Sequence, residues 1–137
     1  MRVVFADAGY WIALLNPRDS LHSKAIAISK TLKECRIVTS EMVLAEFMDG
    51  LGKEGNKLRA AAAQTVEALQ ANANVSVIPQ TSMQFRAALE RYRYREDKMC
   101  GLTDCASFLI MEEHRIQEAL AHDHDFEQAG FKALLKD

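Results

Sequence analysis

The chain has 137 residues, of which 49% are hydrophobic and 26% charged, and only two are proline. These values exclude a disordered tail and predict one globular domain over residues 1–137, large enough to bury about two-thirds of its unfolded surface. The formal charge of −2 gives no overall attraction to nucleic acid or to an anionic membrane. Affinity for a polyanion therefore has to come from a local patch or from a bound cation.

Cysteine usage and hydropathy predict a cytoplasmic protein. Cys35, Cys100 and Cys105 are odd in number and contain no CxxC pair, so we interpret them as reduced thiols and not as disulfides or zinc ligands. No stretch approaches the roughly 20 apolar residues that a membrane span needs. Asp7 interrupts the first apolar run, so we expect no signal peptide.

The first predicted element is a short strand that ends on a carboxylate. Residues 3–6 are apolar without alternation, which is typical of a strand buried on both faces of a parallel sheet, and Asp7 follows directly. Residues 10–15 predict one or two helical turns, closed by Asn16 and Pro17. Asp7 is thus expected at the carboxyl end of the first strand, where open α/β sheets form ligand crevices. The alternative is that Asp7 only caps the helix behind it.

The middle of the chain alternates helices with short strands. Strands are predicted at residues 36–40 and 75–79, and helices at residues 21–33, 56–71 and 82–92. A further helix opens at Ser40 and ends among the glycines at positions 50, 52 and 55.

Glu46 lies inside the helix that Ser40 opens. It shares a face with Met42, Val43 and Gly50, where a charge is costly unless it lies at a cleft or has a partner. The alternative is an exposed glutamate at the border of the apolar stripe.

An alternation of arginine and tyrosine follows the helix at residues 82–92. Arg91, Arg93 and Arg95, with Tyr92 and Tyr94 between them, offer charges for phosphates and rings for bases. Such a run is typical of a surface for single-stranded nucleic acid. It is more often a solvated helix end that carries two half-buried tyrosines.

The last third of the chain carries two more acids before its final strand. Thr103 or Asp104 is expected at the N-cap or first turn of a helix. Residues 118–123 then repeat the opening pattern, a mostly apolar strand that ends on Asp123, and residues 131–135 predict an edge strand. Asp125 lies two residues farther along. Since a strand advances about 3.3 Å per residue, we expect Asp125 to lie about 6 Å or more farther from the other acids than Asp123, beyond direct ligation of the same ion. Asp125 would then support the site through water, or cap the segment that follows.

Strands separated by helices predict a three-layer α/β sandwich with a mainly parallel sheet. Asp7, Glu46, Asp104 and Asp123 would meet at one edge of that sheet. Four acids without basic partners repel one another and raise one another's pKa values, a conflict that Mg²⁺ or Mn²⁺ resolves. Carboxylates that hold one or two such ions recur in phosphodiester hydrolysis. The sequence contains no G-x-S-x-G, P-loop or G-x-G-x-x-G motif.

The chain resembles the PIN-domain proteins, in particular the small VapC-type toxins. The resemblance covers essentially the whole sequence and rests on the acids of VVFADAGYWIALL, TSEMVLAEF, GLTDCASF and ALAHDHDF, which are Asp7, Glu46, Asp104 and Asp123. It implies a five-stranded sheet of order 3-2-1-4-5, in which strands one and four are neighbours and Asp7 lies beside Asp123.

The activity implied by the resemblance is that of an endoribonuclease dependent on Mg²⁺ or Mn²⁺, with RNA as substrate. Thr103 matches the hydroxyl residue that commonly precedes the third acid, where it would orient a ligand or a water. The resemblance further implies a homodimer and a protein antitoxin, which would make the chain the toxin of a type II toxin–antitoxin pair.

Two positions depart from the family pattern. Ala8 stands where a Ser or Thr is frequent, and Ala121 where a Thr often lies, so two hydroxyls that would support the metal ligands are missing. These losses favour an alternative, a catalytically inert PIN-like module that binds RNA or a protein partner. Receiver-like and phosphatase-like domains also gather acids at strand ends. A phosphatase usually carries D-x-D on its first strand, and Gly9 argues against it here.

Overall fold

The computed structural model describes residues 1–94 and 100–137. Within them lie five strands: β1 (Arg2–Ala6), β2 (Cys35–Ser40), β3 (Val75–Ile78), β4 (Glu118–Leu120) and β5 (Lys132–Ala133). The helices of the same residues are α1 (Ala8–Leu15), α2 (His22–Ser29), α3 (Glu41–Gly52), α4 (Asn56–Ala71), α5 (Ser82–Arg93), α6 (Leu102–Glu113) and α7 (His124–Gln128).

The strands form one sheet of order β3-β2-β1-β4-β5, and each neighbouring pair is parallel. This confirms the order and the strand direction expected from the sequence. Val4, Phe5 and Ala6 in the central strand β1 are all fully buried. Because successive side chains of a strand point to opposite faces, helices must cover both faces of the sheet, as a three-layer sandwich requires.

The register of the sheet brings the ends of β1 and β4 together. Ala6 pairs with Leu120, and the Asp7 amide donates to the Leu120 carbonyl at 3.2 Å. The first residue after β1 is therefore adjacent to the segment that leads from β4 to Asp123. On the other side of β1, Ser40 ends β2 and opens α3 as its N-cap, with its hydroxyl accepting from the Val43 amide at 3.1 Å.

The carboxyl end of β4 differs from the sequence prediction. The strand stops at Leu120, not at Asp123, and α7 occupies residues that were expected to form a turn. The Ala121 carbonyl accepts from the Leu135 amide at 3.0 Å, and Asp123 caps α7, so the backbone leaves the sheet direction between these residues.

Smaller differences lie at other element ends. Helix α1 begins at Ala8 and not at residue 10, α2 ends four residues before the predicted limit, and β5 is only two residues long. All three cysteines are reduced and buried, as expected. Among the described residues, no helix has the length and apolar character to cross a membrane.

Candidate metal centre

Asp7 lies at the junction of β1 and α1 with its carboxyl group turned into the protein. It is the N-cap residue of α1, yet its side chain forms no capping hydrogen bond, so capping does not explain its presence. Its side chain is buried, and no hydrogen-bond partner for Oδ1 exists among the described residues. An oxygen buried without a partner costs about 1–3 kcal/mol, so an outside ligand would relieve a real deficit.

Three further carboxylates come together beside this junction. Asp104 lies in the first turn of α6, Asp123 caps α7, and Asp125 lies in the first turn of α7. One oxygen from each lies within 4.8 Å of the others. The N-cap of α6 is Gly101, so of the two positions expected for Asp104 it takes the first turn.

The position of Asp125 corrects the sequence prediction. We expected it to lie too far from the other acids to share an ion, on the assumption that the chain stayed extended through Asp123. Instead Asp123 Oδ1 accepts from the Asp125 amide at 2.9 Å, which turns the backbone into α7 and brings Asp125 back towards Asp104.

Electrostatics tie Asp7 and Glu46 to the same cluster. Burial, reinforced by the charges of Glu46 and Asp123, raises the pKa of Asp7 from 3.8 to about 7. Burial also raises the pKa of Asp104 to about 8, and the charges of Asp7, Asp123, Glu46 and Asp125 add to the effect. Both shifts have the same physical cause, which is a buried carboxyl group close to other carboxylates.

Glu46 faces the cluster from α3. Its side chain is exposed and lines a groove of about 420 Å³ with Thr103, the residue before Asp104. Glu46 is thus exposed, and it lies at a groove. Thr103 is half-buried, and its backbone carbonyl accepts from the Ser107 hydroxyl at 2.9 Å.

The donor set fits a hard divalent cation. Ion pairs within residues 1–94 and 100–137 involve Glu112, Glu118, Glu127 and Asp137, and none involves Asp7, Glu46, Asp104 or Asp123. Carboxylate oxygens are the ligands that Mg²⁺ and Mn²⁺ prefer. Asp7 and Glu46 are not part of the group of oxygens within 4.8 Å of one another, and they are coupled to it through their charges.

A buried hydrogen-bond pair that the sequence analysis did not identify supports Asp7. The Thr39 hydroxyl donates to the Ala6 carbonyl at 2.9 Å and accepts from Trp11 Nε1 at 3.3 Å. It thereby ties β2 to the last residue of β1 and to α1 on either side of Asp7. Thr39 is fully buried, which the sequence does not reveal.

The arginine–tyrosine run divides into parts with different surroundings. Arg91 pairs with Glu112 at 2.8 Å, and its Cζ lies 5.4 Å from the centre of the Phe108 ring, so it packs between α5 and α6. Arg93, Tyr92 and Tyr94 are exposed. Arg95 lies outside the described residues.

The two alanines that replace family hydroxyls are buried. Ala8 is 2% exposed and Ala121 is 1% exposed. Their methyl groups lie in the packed interior beside the cluster. The carboxylates themselves are all present.

Comparisons with known proteins agree with the fold. The model of the PIN domain family matches residues 4–132. A relative from Mycobacterium tuberculosis, the 23S rRNA-specific endonuclease VapC20, is 31% identical over 130 residues, which cover 94% of this chain and 95% of the relative.

Solved structures give the same result. The crystal structure of Mycobacterium tuberculosis VapC20, described as a toxin that cleaves the sarcin–ricin loop, superposes with a TM-score of 0.84 over 93% of this chain and 95% of that one, at 31% identity. VapBC2 from Rickettsia felis bound to a promoter DNA fragment has a TM-score of 0.67 at 13% identity, covering 96% of each chain. FitAcB from Neisseria gonorrhoeae has a TM-score of 0.68 at 15% identity, over 95% of this chain and 94% of that one. The last two show the fold alone.

Proposed function

The chain belongs to the PIN-domain family, and from this premise we propose that it is an endoribonuclease that hydrolyses RNA phosphodiester bonds with the help of Mg²⁺ or Mn²⁺. The observation that carries the proposal is the cluster of Asp104, Asp123 and Asp125, whose oxygens lie within 4.8 Å of one another beside the unpartnered oxygen of Asp7. A divalent cation held there supplies the positive charge that the attacked phosphate and the attacking water need.

The roles of the acids follow from their surroundings. Asp7 and Asp104 have raised pKa values, so a divalent cation bound beside them would favour their ionised forms. Asp123 is oriented by the Asp125 amide and offers its second oxygen. Glu46 lies across the groove, where it would bind an ion through water or hold the attacking water. The Thr103 hydroxyl would orient that water or a phosphate oxygen.

The relatives suggest the class of RNA. Because VapC20 cuts 23S ribosomal RNA at the sarcin–ricin loop, we propose a structured ribosomal RNA loop as the substrate of this chain as well. Arg93 is the exposed basic residue of the arginine–tyrosine run, and with Arg95 it would contact the RNA backbone. The ion pair of Arg91 with Glu112 favours a packing role for Arg91.

The assembly proposed is also that of the VapC-type toxins. We propose that residues 1–137 form one PIN-like domain, that two copies pair, and that a protein antitoxin inhibits the nuclease. VapC20 is described as a toxin, which supports a protein antitoxin as the partner of this chain. Reduced, buried thiols and a ribosomal substrate favour the cytoplasm.

A cleavage assay tests the proposal. Purified protein is incubated with a sarcin–ricin loop RNA and with the same loop carrying a scrambled sequence, in Mn²⁺, in Mg²⁺ and in EDTA. We expect cleavage of the first RNA in either metal, none in EDTA, and loss of cleavage in Asp104→Asn. If Mn²⁺ neither raises the melting temperature nor permits cleavage of any RNA, the inert PIN-like module is the correct alternative.

A further inference from the structure

Helix α7 carries two of the clustered acids but is too short to hold its own position. It spans only His124–Gln128, with Asp123 as its N-cap and Asp125 in its first turn. Isolated helices of this length are not stable in water, so contacts with the rest of the protein must fix its orientation. On its inner side Phe126 is fully buried and packs edge-on against Phe108, with ring centres 5.0 Å apart.

On its outer side α7 is joined to the segment that follows β5. Lys136 Nζ donates to Glu127 Oε1 at 2.6 Å and lies 3.1 Å from His124 Nδ1. The backbone just before Lys136 is itself fixed, because Leu135 is fully buried and its amide donates to the Ala121 carbonyl at 3.0 Å. The ammonium group therefore connects both ends of α7 to an anchored segment.

We propose that Lys136 is a positioning residue of the metal centre: through Glu127 and His124 it holds α7 in the orientation that keeps Asp123 and Asp125 beside Asp104. The inference rests on the proposed metal-dependent function. It assigns Lys136 no contact with the ion or with RNA. Its effect is on the geometry of two carboxylates and hence on the affinity for the cation.

The sign of the effect separates positioning from simple electrostatics. Lys136 is a positive charge near an acidic cluster, so its removal by Coulomb's law alone would strengthen cation binding. Positioning predicts the opposite, because a loosened α7 lets its two acids move away from Asp104. Solvent-accessible pairs of this kind are weak, so we expect the change in affinity to be about two- to fivefold.

The experiment measures Mn²⁺ affinity by calorimetry on the full chain without RNA. Lys136→Met should weaken binding about two- to fivefold, and Lys136→Arg should restore it to within about twofold. Glu127→Gln should weaken it similarly, and the double variant of Lys136→Met with Glu127→Gln should be no weaker than either single change. Lys33→Met is the matched control, since Lys33 is exposed and precedes β2. It therefore lies near the amino ends of the strands, whereas the acids lie at their carboxyl ends. The affinity of this control should equal that of the wild type.

Several results would overturn the inference. Unchanged or tighter Mn²⁺ binding in Lys136→Met would overturn it. A loss of Mn²⁺ affinity in Lys33→Met as large as that in Lys136→Met would overturn it as well. Unchanged metal affinity with weaker RNA binding would instead make Lys136 a phosphate contact. If Lys136→Met fails to fold, Glu127→Gln decides, and wild-type affinity in that variant refutes the inference. A wild-type protein that binds no Mn²⁺ at all refutes the proposed function itself, so the two failures are distinguishable.

Discussion

Replacing Asp104 with Asn should stabilise the metal-free protein, and the gain should grow with pH. Asp104 lies within 4.8 Å of oxygens from Asp123 and Asp125, and its pKa is raised to about 8. In the unfolded chain the same group ionises near pH 4. Its folded pKa is therefore above its unfolded pKa, so its contribution to stability is greatest at low pH and declines as the pH rises towards 8. Asn cannot ionise, so the variant does not lose stability in this way as the pH rises.

The magnitude follows from the linkage relation. Between pH 5 and pH 7 the folded protein keeps a proton on Asp104 that the unfolded chain has released, so stability falls by up to about 1.4 kcal/mol per pH unit. The advantage of Asp104→Asn should thus widen over this interval by at most about 2.7 kcal/mol. The direct repulsion between two carboxylates has a free energy of the same order of magnitude. At 4.8 Å two unit charges interact with about 0.9 kcal/mol in water and about 3.5 kcal/mol near a protein surface.

Thermal melting in EDTA at pH 5, 6, 7 and 8 measures this difference. At about 4 °C per kcal/mol for a chain of this size, the gap in melting temperature should open by up to about 10 °C. Glu67→Gln, which removes a charge from an exposed position of α4, should follow the wild type at every pH. With excess Mn²⁺ the order should reverse, because only the wild type has the full ligand set. If the difference in melting temperature between Asp104→Asn and the wild type does not change with pH in EDTA, the pKa of Asp104 is not raised in the folded protein.

Two further predictions concern the neighbours of Asp104 and the route of the RNA. Because Asp123 and Asp125 each place an oxygen within 4.8 Å of one from Asp104, Asp125→Asn should reduce Mn²⁺-dependent cleavage about as severely as Asp123→Asn. A mild effect of Asp125→Asn in parallel rate measurements would show that Asp125 only supports the site. Arg93→Ala should weaken RNA binding and lower its salt dependence by about one counterion, whereas Arg91→Ala should chiefly lower the melting temperature; filter binding at several salt concentrations separates the two, and equal binding slopes in Arg93→Ala and the wild type would remove Arg93 from the interface.

Much of the fold could be predicted because the central strand has an unambiguous pattern. The run of apolar residues that ends on Asp7 predicts a strand buried on both faces, and Val4, Phe5 and Ala6 are indeed fully buried. The periodicity of the sequence did not give the order of the strands. That order followed from the family resemblance, because local patterns carry no information on which strands are neighbours.

The site was predicted less completely than the fold. Asp125 was placed too far away because we extended the strand rise through Asp123, whereas the side chain of Asp123 captures the Asp125 amide and starts a helix. An Asp followed two residues later by a second acid is a recognisable N-cap pattern, so this signal was available. The pairing of Arg91 with Glu112 was not available, because those residues lie 21 positions apart and meet only where α5 packs on α6.

Anomalous diffraction from crystals soaked in Mn²⁺ shows whether these acids form a metal centre. We expect a manganese peak at the carboxyl edge of the sheet, within ligating distance of oxygens from Asp104, Asp123 and Asp125 and on the side of the unpartnered Oδ1 of Asp7. The same soak of Asp104→Asn crystals should give a much weaker peak at that position. A strong peak elsewhere, or none in the wild type at millimolar Mn²⁺, would contradict the assignment of these acids as the metal centre.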